Sequence, residues 1–191
     1  IQFSPGYFVQ CKDTKEIGII DTYLDKILYQ NLADSIKSKA DLNLLKLFGT
    51  ELDVYNLTNI VRAKFWNMDS QMIKELLVSH TASTSDDLLS KMIDAENIKM
   101  SFIELSKTKF VDIIPTEGND IFMINEFETK LNIFLYNSLL KEFANMFKLS
   151  TAVSVVRLYD YEIQNLASIS YAVENNISTE TTMTKIIAPV Q

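Results

Sequence analysis

The chain has 191 residues, of which 47% are hydrophobic but only four are glycine and three are proline. This length allows one large domain or two small ones, and so few helix breakers exclude the many turns of a sandwich, a barrel or a doubly wound sheet. The net charge of −7 and the scattered lysines exclude a nucleic-acid-binding protein, which needs a basic stripe to displace counterions. The composition therefore predicts an all-α protein.

Residues 1–14 are predicted to form an irregular lead-in. They have no basic segment ahead of an apolar core, so they do not resemble a signal peptide. Since the segment also lacks a starting methionine, we expect a fragment of a longer chain. The longest uncharged apolar stretch, residues 131–140, is about ten residues long, whereas a bilayer crossing needs roughly 20. We therefore expect no membrane span.

The apolar spacing of the next part predicts a series of amphipathic helices. Glycine often terminates a helix, so we expect one of them to end at Gly49 and the next to begin near Leu52. Side-chain caps predict two further helix starts, one at Asp69 or Ser70 and one at Ser85. The predicted helices cover residues 15–39, 41–49, 52–66, 70–80 and 86–98.

The clearest loop of the chain is the segment TEGND that follows Pro115. The segment before it, from Met100, is predicted to be a helix that ends before this proline. The loop marks the predicted boundary between one helical unit, residues 15–115, and a second, diverged unit, residues 116–191.

The second unit is predicted to contain two long helices and a short one. The first follows the loop and spans about 20 residues, INEFETKLNIFLYNSLLKEFANMF. The second begins with the valine-rich run TAVSVV, whose branched side chains also fit a strand. The last helix is capped by Ser178 or Thr179.

A short pattern occurs once in each predicted unit. An acid stands three positions before an asparagine, as Asp53 and Asn56 in the first copy and as Glu162 and Asn165 in the second. Leucine follows each asparagine directly, and isoleucine stands three positions further on. Because similar segments precede and follow both copies in the same order, we interpret the chain as two diverged copies of one multi-helix unit.

Two interpretations of the repeated residues stay open. On a helix, Asp53 and Asn56 lie one turn apart at the edge of an apolar stripe. They can satisfy backbone groups of neighbouring helices and set the packing, since a buried polar group without a partner costs about 1–3 kcal/mol. Alternatively, this polar edge contacts a partner protein. Arg62 can reach an acid on a neighbouring helix, or it can reach Asn59 one turn back on the same helix.

The sequence predicts no catalytic, metal-binding or cofactor-binding residues. His80 is the only histidine, which excludes a histidine-based metal cluster, and Cys11 has no nearby base that would make it a nucleophile. The phosphate-binding and dinucleotide-binding glycine motifs are absent. A di-metal helical bundle would need Glu-x-x-His pairs, which the chain lacks. We therefore expect a non-enzymatic protein without a small-molecule substrate.

The stretch ELDVYNLTNIVRAKFWNMDSQMIKELL resembles the signature segment of the C subunit of the prokaryotic V/A-type ATPases, the counterpart of the eukaryotic d subunit. That family typically has an acid, an apolar residue, an Asn-Leu pair and an Arg-Ala-Lys run. These residues are here Asp53, Val54, Asn56, Leu57, Arg62, Ala63 and Lys64. The segments IIDTYLDKILYQNL and EIQNLASISYAVENNISTE are similar to parts of the same family, in the same order.

The resemblance implies three related helical units that form a funnel-shaped bundle, of which this chain would carry the last two. It implies a non-catalytic central-stalk subunit of a rotary ATPase or ATP synthase, which couples the rotor shaft to the membrane proteolipid ring. Such coupling links ATP hydrolysis to the transport of protons or sodium ions. The implied partners are the shaft subunits and the proteolipid ring, and the implied location is cytoplasmic, peripheral to the cell membrane.

Two departures from the family pattern stand out. The family often has glycine after the Arg-Ala-Lys run, where this chain has Trp66 and Asn67, and the second copy has Tyr171 where the first has Arg62. The alternative function is a free-standing helical adaptor or regulatory domain that binds a partner helix. A rotor subunit predicts an open, pseudo-symmetric funnel, whereas an adaptor predicts a closed domain with one apolar channel.

Overall fold

The computed structural model describes residues 17–38, 42–79, 81–145 and 148–188. These ranges contain α-helices and one short 3₁₀ turn but no strand, so the predicted all-α class is confirmed. None of their helices is long and apolar enough to cross a membrane. The helices are α1 (Ile17–Ser38), α2 (Leu42–Phe65), α3 (Ser70–Leu76), α4 (Asp86–Asp94), α5 (Ile98–Leu105), α6 (Asp120–Phe143), α7 (Leu149–Glu174) and α8 (Thr179–Met183), and the 3₁₀ turn is Val111–Ile113.

Three sequence predictions fall outside the described residues. These are the irregular lead-in at residues 1–14, the side chain of Cys11 and the side chain of His80. The division into units 15–115 and 116–191 stays a prediction.

The predicted helix end at Gly49 is wrong, because α2 runs without interruption from Leu42 to Phe65. A Cβ atom on Gly49 would lie 2.9 Å from the backbone nitrogen of Ala82, closer than such atoms approach in folded proteins. The same nitrogen donates a hydrogen bond to the Gly49 carbonyl oxygen at 3.1 Å. The glycine therefore lets a loop pass close to the helix instead of ending it.

The predicted helix starts that depend on a side-chain cap are confirmed. Asp69, Ser85 and Ser178 each accept a hydrogen bond from a backbone N–H in the first turn of α3, α4 and α8. Asn97 and Asn119 cap α5 and α6 in the same way. These short polar side chains satisfy N–H groups that have no partner within the helix.

The segment before Pro115 is not one helix, as the sequence predicted. α5 ends at Leu105. The Thr108 hydroxyl donates a hydrogen bond to the Leu105 carbonyl oxygen and accepts one from the backbone N–H of Phe110. Phe110 is fully buried, with its ring 5.4 Å from the ring of Phe134 on α6. The chain therefore turns here because the burial of this aromatic side chain outweighs continuation of the helix.

The hydrophobic core lies between α2, α4, α5 and α6, and it extends to Tyr161 on α7. α2 is buried on nearly all sides, whereas α1 contacts it through smaller clusters centred on Leu52 and Phe48. α6 packs against both α2 and α7. Residues from both predicted units therefore share one core.

The valine-rich run that also fitted a strand lies within α7, which extends from Leu149 to Glu174. Ser150 and Ser154 are fully buried on this helix, and Ser150 donates to the Glu142 carboxylate at 3.2 Å. Small side chains at these positions let α7 approach its neighbours closely. Tertiary packing therefore overrides the strand preference of the branched residues.

Candidate functional site

Asn56 binds the backbone of one residue, Val78, with both ends of its amide. Its Nδ2 donates to the Val78 carbonyl oxygen at 2.8 Å, and its Oδ1 accepts from the Val78 N–H at 2.9 Å. Both residues are buried. The side chain thus satisfies a buried peptide group that follows α3, as a neighbouring strand would do in a sheet.

Asn165 makes the same pair of bonds to Ile187. Its Nδ2 donates to the Ile187 carbonyl oxygen at 2.7 Å, and its Oδ1 accepts from the Ile187 N–H at 2.9 Å. The separation along the chain is 22 residues, as it is between Asn56 and Val78. Asn165 is only half-buried, whereas Asn56 is fully buried. The two asparagines therefore form equivalent contacts in surroundings of different depth.

The ends of the two asparagine-bearing helices also match. Asn67 and Asn176 adopt left-handed backbone conformations, with φ of 54° and 52°. In each case the next residue's N–H reaches back to a helix carbonyl, from Met68 to Ala63 at 3.0 Å and from the equivalent residue in the second copy at 2.9 Å. Asparagine tolerates this conformation better than most residues, so it fits the left-handed position at the end of both helices.

The two repeated acids lie in different environments. Asp53 is fully buried, and its Oδ1 accepts from the N–H groups of Ser83 and Thr84 and from the Thr84 hydroxyl, at 3.2, 2.9 and 2.7 Å. It holds the loop that leads into α4. Glu162 is exposed on α7, beside a shallow groove that includes Tyr136. The structure therefore does not give Glu162 the contacts that Asp53 makes.

Arg62 pairs with Glu128 on α6, so it contacts an acid on a neighbouring helix instead of Asn59. The contact is bidentate, with Nη2 donating to Oε2 at 2.8 Å and Nε donating to Oε1. The hydrogen bonds that Arg62 donates to Glu128 raise the pKa of Arg62 above its usual value. This pair connects the two predicted units, since α2 belongs to the first and α6 to the second.

Arg157 forms a second ion pair across the same boundary. Its Nη2 donates to Glu51 Oε1 on α2 at 2.5 Å, and its Nη1 lies 3.6 Å from Asp160 on its own helix. The Tyr29 hydroxyl on α1 also donates to Glu51, at 3.3 Å. Burial raises the pKa of Glu51, although the charge of Arg157 opposes this shift.

Both ion pairs line one polar recess between α1, α2, α6 and α7, with a volume of about 330 Å³. These two arginines are the only ones in the sequence. They face four carboxylates, so the recess carries an excess of negative charge. Its polar lining consists of Asp25, Tyr29, Glu51, Tyr55, Thr58, Asn59, Arg62, Glu128, Asn132, Arg157, Asp160, Tyr161 and Gln164.

Sequence reasoning identified Arg62 but missed Glu51, Glu128 and Arg157 as members of this site. An available signal was that each predicted unit has one arginine, the residue type best suited to bidentate pairing with a carboxylate. The described part of the chain has no group of histidine, cysteine or acidic side chains that could hold a metal ion. Two of the four carboxylates pair with arginines from another helix, so the arrangement suits rigid packing and charge recognition.

Comparison with known proteins identifies relatives over most of the chain. Residues 3–185 match the family described as ATP synthase (C/AC39) subunit. The C subunit of the A-type ATP synthase of Pyrococcus horikoshii is 28% identical over 175 residues, which are 87% of this chain and 47% of the relative. The corresponding proteins of Pyrococcus furiosus and Pyrococcus abyssi are 25% and 24% identical over 78% and 86% of this chain, and over 41% and 45% of their own lengths. No solved structure matches the chain.

The chain spans less than half the length of these relatives, but the family match covers nearly all of its own residues. The family is that of an accessory, non-catalytic subunit of ATP synthase. By this match, the chain belongs to the ATP synthase C/AC39 subunit family.

Proposed function

We propose that this chain is part of the central stalk of a rotary V/A-type ATPase or ATP synthase, where it couples the rotor shaft to the membrane proteolipid ring during ion transport. The family match over residues 3–185 carries this proposal. The partners in this role are the shaft subunits and the proteolipid ring. The role places the protein on the cytoplasmic side, peripheral to the membrane.

The ion pairs of the recess support a mechanical role. Arg62 with Glu128 and Arg157 with Glu51 each join a helix of the first predicted unit to a helix of the second. The shared core fills the space behind them, and close-packed protein interiors resist deformation. A body that transmits torque needs such connections, because relative movement of its parts would dissipate the applied force.

The charge of the recess supports a basic partner surface. Four carboxylates face two guanidinium groups, and the whole chain carries a net charge of −7. Charge complementarity of this kind accelerates association and selects the partner's orientation. We therefore propose that a lysine-rich or arginine-rich tip of the shaft enters the recess.

The test is co-expression of the full-length protein with the shaft subunits and the proteolipid ring, followed by affinity purification through the full-length protein. We expect the wild type to recover both partners. Recovery of neither partner would contradict the proposal and favour the alternative, a free-standing helical adaptor.

Charge reversal tests the recess separately. Asp25 is exposed at the recess, and Asp112 is an exposed acid on the 3₁₀ turn outside it. We expect Asp25→Lys to weaken recovery of the shaft subunits several-fold, since it repels a basic tip, and Asp112→Lys to leave recovery unchanged. Equal effects of the two variants would exclude the recess as the docking point.

A further inference from the structure

α7 has apolar residues on two opposite faces. One face packs against the rest of the protein through Tyr161, whose hydroxyl donates to Asn132 on α6 at 3.1 Å, and through the buried Ala172. On the opposite face, the large side chains of Ile163 and Leu166 are exposed. A helix with apolar residues on two faces is normally covered on both.

The exposed residues form a line along the helix, which we call the apolar seam. They follow one another at the spacings of three, four and seven residues that place side chains in the contact line of a coiled coil. The line is about 25 Å long at the usual rise of an α-helix. Each of these residues is between 61% and 73% exposed, and the seam consists of Val156, Tyr159, Ile163, Leu166 and Val173.

The corresponding positions of α2, the other asparagine-bearing helix, are buried. Leu47, Thr50, Val54 and Leu57 stand at the places of the first four seam residues when Asn56 is matched with Asn165. The three apolar residues among them belong to the main core, which includes residues of α4, α5 and α6. Within this protein, the same face is therefore covered by amphipathic helices.

Acidic residues flank the apolar seam. By helical geometry, Asp160 and Glu174 lie on one side of it and Glu162 on the other. Positions that flank a helix–helix contact choose the partner by charge. An anionic membrane surface and a second copy of this chain, which carries a net charge of −7, both fit these flanks poorly.

We propose that the apolar seam docks an amphipathic helix of a partner protein, whose apolar residues follow a heptad spacing and are flanked by lysine or arginine. The partner's apolar side chains fill the spaces between the seam residues, as knobs enter holes in a coiled coil. Its basic side chains lie against Asp160, Glu162 and Glu174. Asp160 also lines the polar recess, but none of the five seam residues does, so a seam variant tests this surface separately from the recess.

Two synthetic helices of about 21 residues serve as probes, since that length gives three heptads. Both have isoleucine and leucine at the contact positions, one with lysine and the other with glutamate at the flanking positions. Binding to the full-length protein is measured by fluorescence anisotropy. We expect the lysine probe to bind and the glutamate probe to bind at least about tenfold more weakly, with the difference shrinking at high salt.

Matched variants locate the binding surface. Leu166→Glu introduces a charge into the exposed seam, whereas Ile103→Glu introduces the same charge at an exposed position on α5. We expect the first to weaken lysine-probe binding at least about tenfold and the second to leave it within about twofold.

Several outcomes would overturn the proposal. One is a full-length protein that binds neither probe, as it would if its own polypeptide covered the seam. Another is equal binding of the two probes, or equal effects of the two variants. A dimer in analytical ultracentrifugation that Leu166→Glu dissociates would assign the seam to a second copy of the chain instead.

Discussion

Asn56 and Asn165 each act as a substitute for a backbone segment, because one amide side chain satisfies both polar groups of a distant peptide. The value of this contact depends on its depth. At Val78 the peptide is buried, and water cannot replace the lost partner. At Ile187 the peptide is part-buried, so solvent can take over some of the hydrogen bonding.

We therefore expect Asn56→Ala to lower the free energy of unfolding by about 2–4 kcal/mol and Asn165→Ala to lower it by about 1 kcal/mol. Urea denaturation followed by circular dichroism measures both values. Wild-type stability of both variants, combined with lost assembly, would instead assign the asparagines to a partner interface.

Glu51 gives the protein a specific dependence of stability on pH. Burial raises its pKa in the folded state, so the folded protein holds this proton more tightly than the unfolded chain does. Protonation therefore favours folding, and the contribution of Glu51 to stability falls as the pH rises above the ordinary value of 4.5.

Glu51→Gln removes this titration. We expect the stability of the wild type relative to Glu51→Gln to decrease as the pH is raised from about 4.5 to 7. Thermal melting of both proteins across this range measures the difference. A relative stability that increases with pH would show that the attraction of Arg157 outweighs the cost of burial.

At the scale of secondary structure, local signals and distant contacts had different predictive value. The caps Asp69, Ser85 and Ser178 were predictable, because a cap acts on backbone groups two or three residues away. The role of Gly49 inside α2 was not predictable, because the residue that approaches it, Ala82, is distant in sequence. The turn that buries Phe110 was missed for the same reason.

Gly49 yields a prediction that opposes helix propensity. In an open helix, Gly→Ala stabilises by up to about 1 kcal/mol. Here the added methyl group would collide with the backbone of Ala82, so we expect Gly49→Ala to destabilise the protein by about 1–3 kcal/mol. Chemical denaturation measures the change, and an increase in stability would mean that the loop moves away without cost.

At the scale of the whole molecule, two ion pairs and one core hold the predicted units together. The sequence indicated that Arg62 can reach an acid on another helix, but it did not identify Glu128, and it gave no indication that Arg157 lies in the same recess. The two ion pairs meet in one recess because three long helices pack together, and their packing cannot be read from a single sequence. The helical class was predictable from composition, whereas the recess was not.

The two ion pairs differ in depth, which predicts unequal effects of removing each arginine. The Glu51 side chain is 11% exposed, and Arg157→Met leaves its carboxylate without that cation, so we expect a loss of about 3 kcal/mol. In the other pair both members are more exposed, Glu128 at 18% and Arg62 at 49% against 36% for Arg157, so we expect Arg62→Met to cost about 1 kcal/mol or less. Equilibrium denaturation measures both, and a larger loss for Arg62→Met would contradict this ranking.

The amide contacts of Asn56 and Asn165 also constrain how such a protein can diverge. Each contact closes a loop between an asparagine and a peptide 22 residues later. The number of residues in this loop is fixed by the helix end, the left-handed asparagine and the next short helix. Residues inside the loop can change identity, but adding or removing one would move the bound peptide group out of hydrogen-bonding distance of the asparagine amide. Insertions and deletions should therefore accumulate outside these two closed segments. The length of each segment should stay constant even where its residues have changed.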